Sequence, residues 1–283
     1  MSMHEERNEA RTGAEAHRAA PPPPEEGAPG PGIRSGGPPP LPDDALIILP
    51  VRNMVLFPGV VLPLTVGRPR SIAAAQEAAR SQRPLGVVLQ RDAEVAEPGP
   101  VDLHRTGTVA GVLRYLTAPD GTHHVVVQGE QRFRVLDYLG GYPFLAARVE
   151  RIEEPEAPTV EIEARVLQLR QRAVEALQLL PQAPQELIGA VQNIPTASGL
   201  ADIVASYMDL KPEEKQEILE TIDLRRRLDR VLELLAHRLE VLRLSQQIGQ
   251  QTREAMEGRQ REYMLREQLK TIQKELGETE GTA

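Results

Sequence analysis

The side chains of this sequence that could do chemistry are few, and none stands at a spacing that a reaction requires. A phosphate cradle needs a G-x-x-x-x-G-K-[ST] loop, whose backbone N–H groups and lysine hold a nucleotide, and no such loop is present. There is no G-x-S-x-G turn to raise a serine nucleophile and no H-E-x-x-H to hold zinc. Ser71, Ser81, Ser198, Ser206 and Ser245 have no lysine three residues on. The absence of cysteine excludes thiolate metal sites, cysteine nucleophiles and disulfides. His123 and His124 are adjacent, but successive residues of a strand face opposite sides and do not chelate one ion. The carboxylates at 153–163 and 213–220 read as a solvated linker and a helix start. The expectation is no catalytic residue, no metal and no cofactor in this chain.

What remains is binding. In LPVRNMVLFPGVVLPLTV, residues 49–66, Met54, Val55, Leu56 and Phe57 run straight into Pro58-Gly59. Alternate side chains of an extended chain face opposite sides, so four successive apolar residues are either covered on both faces or partly exposed. An exposed apolar patch marks an interaction site, which makes these four the candidate substrate contacts. A second candidate surface is Tyr263, Met264, Leu265, Leu269, Ile272 and Leu276, apolar positions near the end of a long polar helix.

The elements that must position these residues fall into blocks. Residues 1–42 are Pro- and Gly-rich and read as a disordered tail. Residues 43–154 read as a β-rich domain, a small barrel or rolled sheet. ALIILPV, VVLPLTV, LGVVLQR and FLAARVERIEE are its strands, and PRSIAAAQEAARSQ is one helix opened by Pro69. A hairpin turns at Pro119-Asp120-Gly121. The acidic, proline-bearing EEPEAPTVE marks the boundary. Residues 155–222 read as a helical subdomain, residues 223–278 as a long helical arm and residues 279–283 as a tail. Along the arm, Leu228, Leu232, Leu235, Leu239 and Leu242 repeat at four-three spacing, as in a coiled-coil seam. A helix of roughly 50 residues is roughly 75 Å long, and its polar middle suggests an arm between two bodies. The fold class is α+β.

Bulk composition narrows the partners. The 283 residues suffice for two compact bodies with tails. A net charge of −8, with 33 Lys+Arg against 41 Asp+Glu, repels a polyanion on average. Five Tyr and three Phe leave little for base stacking, so nucleic acid is disfavoured even with Arg132, Arg134 and Arg225 to Arg227 available. No segment has the roughly 20 apolar residues of a membrane span, and MSMHEERNEA lacks a secretory apolar core. A reducing, cytoplasmic location is expected.

Three segments carry a resemblance. LPVRNMVLFPGVVLPLTVGRPRS (49–71) resembles the opening of Lon-type ATP-dependent serine proteases. GLADIVASYMDLKPEEKQEILETIDLRRRLDRVLELL (199–235) is similar to their helical subdomain. QREYMLREQLKTIQKELGE (260–278) looks like the family's signature on the long helix before the ATPase module. The resemblance implies a PUA-like β-fold, a helical bundle and a long helix that together recognise unfolded, damaged or degron-bearing proteins and help organise a homohexamer. For this chain alone it implies weak or dimeric self-association. ATP, Mg and a Ser–Lys dyad belong to the implied parent enzyme. No catalytic residue carries over to this sequence, so the chain by itself is not expected to be an enzyme. A stand-alone adaptor assembling through the long helix is the alternative, and an RNA-binding PUA-like module a further one.

Overall fold

The computed structural model describes residues 39–154, 159–180 and 185–275. The expected tail over residues 1–38, and Leu276 with the residues after it, lie outside the described residues. Residues 39–42 are not loose as expected: Arg83 donates to the Leu41 carbonyl at 2.9 Å and Tyr142 donates to the Pro40 carbonyl at 3.3 Å.

The α+β organisation is the expected one. Six strands come first: β1 (Ala45–Val51), β2 (Val61–Val66), β3 (Leu85–Leu89), β4 (Thr106–Thr117), β5 (His123–Leu139) and β6 (Leu145–Arg151). Helix α1 (Pro69–Ser81) lies between β2 and β3. The apolar runs of β1 and β3 have a direct cause. They pair in parallel at the centre of the sheet, where both faces are covered. The sheet order is β2-β5-β4-β3-β1-β6, and β5 also pairs with β6. β1, β3, β4, β5 and β6 therefore close a circuit, while β2 hangs on the first half of β5 outside it. Register shifts in β4–β5 and β5–β6 bend the long β5, so the sheet is not a uniform barrel. The β4–β5 hairpin turns where expected, at Gly121 with φ +83, which a side chain would resist. Ala74, Ala75 and Ala78 let α1 lie close on one sheet face, where Leu49, Leu64, Val125 and Val127 pack.

The helices follow: α2 (Val160–Leu179), α3 (Gln185–Asn193), α4 (Ala197–Tyr207), α5 (Pro212–Glu220) and α6 (Leu224–Glu275). Three of their starts, those of α2, α4 and α6, carry the side-chain caps that unsatisfied first-turn N–H groups need. Thr159 accepts from Ile162 N at 3.3 Å, Thr196 from Gly199 N at 3.1 Å and Asp223 from Arg226 N at 2.8 Å. Pro212 opens α5, as its fixed φ favours. α6 has 52 residues, so it is roughly 78 Å long.

The leucine seam of α6 is not a coiled-coil surface waiting for another chain. Leu228, Leu232, Leu235 and Leu239 are buried against α2 and α4 of the same chain, and only Leu242 stays half-open. α2 and α6 run parallel, because their pairs climb in step: Glu161–Arg225 at 3.1 Å, Arg165–Asp229 at 2.6 Å and Glu175–Arg243. Beyond residue 242 every described side chain of α6 is exposed.

Candidate functional site

The FPG segment is placed differently from an exposed patch. Val55 and Phe57 point into the core shared with the helices, whereas Leu56 points into the core under α1. Each face of the segment is thus covered by a different core. Val55, Leu56 and Phe57 are buried, Phe57 fully, and only Met54 is half-open. The turn that follows fixes this arrangement. Gly59, at φ +78, donates to the Gly129 carbonyl at 2.8 Å, and Gly129 donates to the Val60 carbonyl at 2.9 Å. Thr108 donates its hydroxyl to the Leu56 carbonyl at 2.6 Å. Gly129 is required here because a Cβ would stand 2.2 Å from the Phe57 carbonyl oxygen.

With Phe57 turned inward, the residues just after it face outward. Val60 and Val61 form one wall of an apolar groove of about 550 Å³, and α2, α3, α4 and α6 provide most of the rest. Ala173, Val204 and Leu235 make its floor, while Tyr207, 70% exposed, and Val61, 50% exposed, stand at its mouth. Asp209 and Arg238 pair at the rim, 3.3 Å apart. The groove has walls from both parts of the fold because the β-part and the helical part are fixed together.

A buried ion cluster does that fixing. Arg132 of β5 and Arg227 of α6 are both fully buried. Arg132 grips Asp202 of α4 with two bonds, at 2.8 and 2.6 Å, and reaches Glu154 at 2.6 Å. It also donates to the Leu219 carbonyl of α5 at 3.0 Å. Arg227 binds both oxygens of Glu154 at 3.0 and 2.6 Å, and Glu154 accepts a further bond from Ser198 at 2.5 Å. One strand, the linker and three helices converge on four charges. Glu154 is therefore no solvated linker acid, and Arg132 and Arg227 are not free for a polyanion. Sequence reasoning missed the cluster, although Asp202 gave a signal: a lone carboxylate within the apolar GLADIVASYM has to find a partner.

Burial pushes the Glu154 carboxyl up, but the Arg227 hydrogen bond and the charges of Arg132 and Arg227 overcome it and hold it at about 2. A folded value below the ordinary 4.5 means that the ionised group stabilises the fold above about pH 4.5 and loses that effect as pH falls toward about 2. Burial pushes Asp202 the opposite way, so Glu154 carries the acid sensitivity. Thermal midpoints taken between about pH 6 and about pH 2.5 should fall steeply below pH 4.5. Glu154→Gln should start lower at pH 6 and show a shallower fall; a fall as steep as that of the unaltered chain would contradict this assignment.

Of the other sequence-derived positions, Tyr263, Met264, Leu265, Leu269 and Ile272 are exposed on the far part of α6, and Leu276 lies outside the described residues. His123 bonds Tyr115 at 2.6 Å and His124 bonds Thr65 at 3.3 Å, each with its own partner. Among the described residues there is no cluster of three or more His, Asp or Glu able to hold a metal ion, and no helix long and apolar enough to cross a membrane.

Residues 45–237 match the profile of the ATP-dependent protease La (LON) substrate-binding domain. A Lon protease of Methylocella silvestris is 57% identical over 240 residues, covering 85% of this chain and 30% of that protein. A Lon protease of Phenylobacterium zucineum is 57% identical over 241 residues, with coverage of 85% and 30%. The chain thus spans about 30% of the length of the curated relatives it matches. Among solved structures, the N-terminal domain of the Mycobacterium avium complex Lon protease aligns with a TM-score of 0.55 at 25% identity, covering 68% of this chain and 98% of that one. The profile match spans both the β-part and the helices that build the groove, and on that ground this chain belongs to the Lon substrate-binding domain family.

Proposed function

We propose that this chain is the substrate-capturing region of an ATP-dependent Lon protease acting in cytoplasmic protein quality control. It takes up apolar segments of unfolded, damaged or degron-bearing proteins in the groove mouthed by Val61 and Tyr207. One observation carries the reading: in a family named for substrate binding, the two halves of the fold jointly build an open groove whose lining is mostly apolar. Unfolded chains present the apolar side chains that such a groove removes from water. Capture by one chain is weak, and six copies in a ring raise avidity. The α6 arm holds the groove away from the ATPase ring. Its exposed Tyr263, Met264, Leu265, Leu269 and Ile272 seat against a neighbouring copy or module.

The test is a titration of a labelled, reduced and alkylated protein with the full chain, its native form serving as control. Binding is expected for the unfolded form only. Val61→Ser with Tyr207→Ser should weaken it about tenfold, since removing buried apolar area of this size costs about 1.5–3 kcal/mol. Both side chains are exposed, so the thermal midpoint should hardly move. Unchanged affinity in a folded double variant would remove the groove from the account.

A further inference from the structure

We propose that Lys215, which does not itself line the groove at Val61 and Tyr207, is the positioning residue of its mouth: the ammonium holds the Ser206 carbonyl and, through it, the backbone that carries Tyr207. This deepens the capture reading and rests on it for what the groove does.

Tyr207 is 70% exposed, so packing does not fix where its ring stands. Its backbone has to do that, and the backbone here is the last turn of α4. The final carbonyls of a helix have no N–H of a next turn to accept from. In α4 the Val204 carbonyl accepts from Met208 N at 3.1 Å. The Ser206 carbonyl accepts from Lys215 Nζ at 2.8 Å. That carbonyl and the Tyr207 N–H belong to one planar peptide, so a bond to the first sets the orientation of the second. Immediately afterwards Met208 turns to extended backbone, at φ −66 and ψ 141, and the chain leaves for α5. The Ser206 hydroxyl folds back onto the Ile203 carbonyl at 2.8 Å.

Lys215 sits on a firm support. Its neighbour Gln216 is buried and donates to the Thr106 carbonyl of β4 at 3.0 Å. The Leu219 carbonyl accepts from Arg132 at 3.0 Å, and Ile218 and Leu219 are buried in the helical core. α5 is thereby tied to the β-part, and Lys215 extends that tie to the mouth of the groove. A second cation braces the same turn from α6, where Arg238 pairs with Asp209 at 3.3 Å. Tyr207, Met208 and Asp209 all line the groove. Burial lowers the proton affinity of Lys215, and the charge of Asp209 offsets part of this. A cation is favoured at the negative end of a helix, so the ammonium is well placed to stay on the α4 carbonyl.

A mouth already in place loses less freedom on binding than a loose one. Where only a fraction of the copies holds the competent arrangement, the apparent affinity falls by that fraction. A lysine that merely ended a helix would change stability and leave the affinity of the folded chain alone. The two roles therefore separate in experiment.

The experiment titrates a labelled, reduced and alkylated protein with the full chain and its Lys215 variants. Lys215→Met keeps the apolar stem and loses the donor, and Lys215→Leu is a second neutral variant, so a folding failure of one leaves the other. Each should weaken capture about fivefold below its own thermal transition, and Lys215→Arg should restore most of the loss. In a Tyr207→Ser background, Lys215→Met should add less than about twofold, because its effect runs through the residue already removed. Unchanged affinity in the folded neutral variants overturns the proposal, as does the same fivefold loss in the Tyr207→Ser background. A fluorotyrosine placed at position 207 gives a readout that needs no substrate. Its fluorine resonance should shift in Lys215→Met and return in Lys215→Arg; a resonance that stays in place overturns the hold on Tyr207 even if capture is real. Absence of capture by the unaltered chain, with the resonance shifting as expected, overturns the capture reading and leaves the hold on Tyr207 standing.

Discussion

Arg132→Met lowers the unfolding free energy by about 3–5 kcal/mol, the cost of leaving a buried charge without its partner. Asp202, fully buried, keeps only Arg227 at 3.7 Å once its two-bond partner is gone. The Leu219 carbonyl and one oxygen of Glu154 lose donors in the same step. Attraction between such charges is offset by the cost of taking them out of water, so the pair as a whole stabilises less than the loss of one member destabilises. The double variant Arg132→Met with Asp202→Leu should therefore recover most of the stability that the single variant loses. Urea denaturation of the unaltered chain, the two single variants and the double variant closes this cycle. A loss below about 1 kcal/mol for Arg132→Met would mean that water reaches the cluster.

The second large effect belongs to Phe57. Its ring is fully buried among Val55, Leu89 and the residues of α4 and α6. Phe57→Ala is expected to cost about 3–5 kcal/mol, because the lost contacts are joined by a cavity that this tied segment cannot close. Its carbonyl is 2.2 Å from where a Cβ on Gly129 would sit, and Gly59 and Val60 are hydrogen-bonded to Gly129, so the backbone has little room to relax. Met54→Ser, at a half-open position, should cost about 1 kcal/mol or less. Denaturation midpoints separate the two. A stable Phe57→Ala variant that binds unfolded protein poorly would restore the FPG segment as a contact surface.

The contrast between these two positions shows where sequence reading succeeds and where it stops. Local signals carried the strands, the hairpin at Gly121, the start of α1 at Pro69 and the continuity of α6, because each depends on neighbours along the chain. The run from Met54 to Phe57 left two readings open, since periodicity states that both faces are apolar and not what covers them. Two separate cores cover them, and that arrangement comes from long-range packing. The same limit turned the leucine seam of α6 into an internal contact: spacing identifies a stripe, and α2 of the same chain occupies it. Glu154 looked like solvated acid because EEPEAPTVE is polar, and its partners Arg132 and Arg227 lie far from it in sequence. Asp202 within an apolar helix was the one legible sign of the cluster. The groove at Val61 and Tyr207 had no signal of its own, because its walls come from segments more than a hundred residues apart.

Substrate capture in that groove is tested most directly by placing a photoreactive amino acid at position 207 in the full chain and, as a control, at Val101, which is 83% exposed and outside the groove. Irradiation with a reduced, alkylated protein should give crosslinks from position 207 and few from position 101, with neither site labelling the native form of the same protein. Equal labelling from both positions, or none from position 207 while the chain still binds the unfolded protein, would contradict the assignment of substrate capture to this groove.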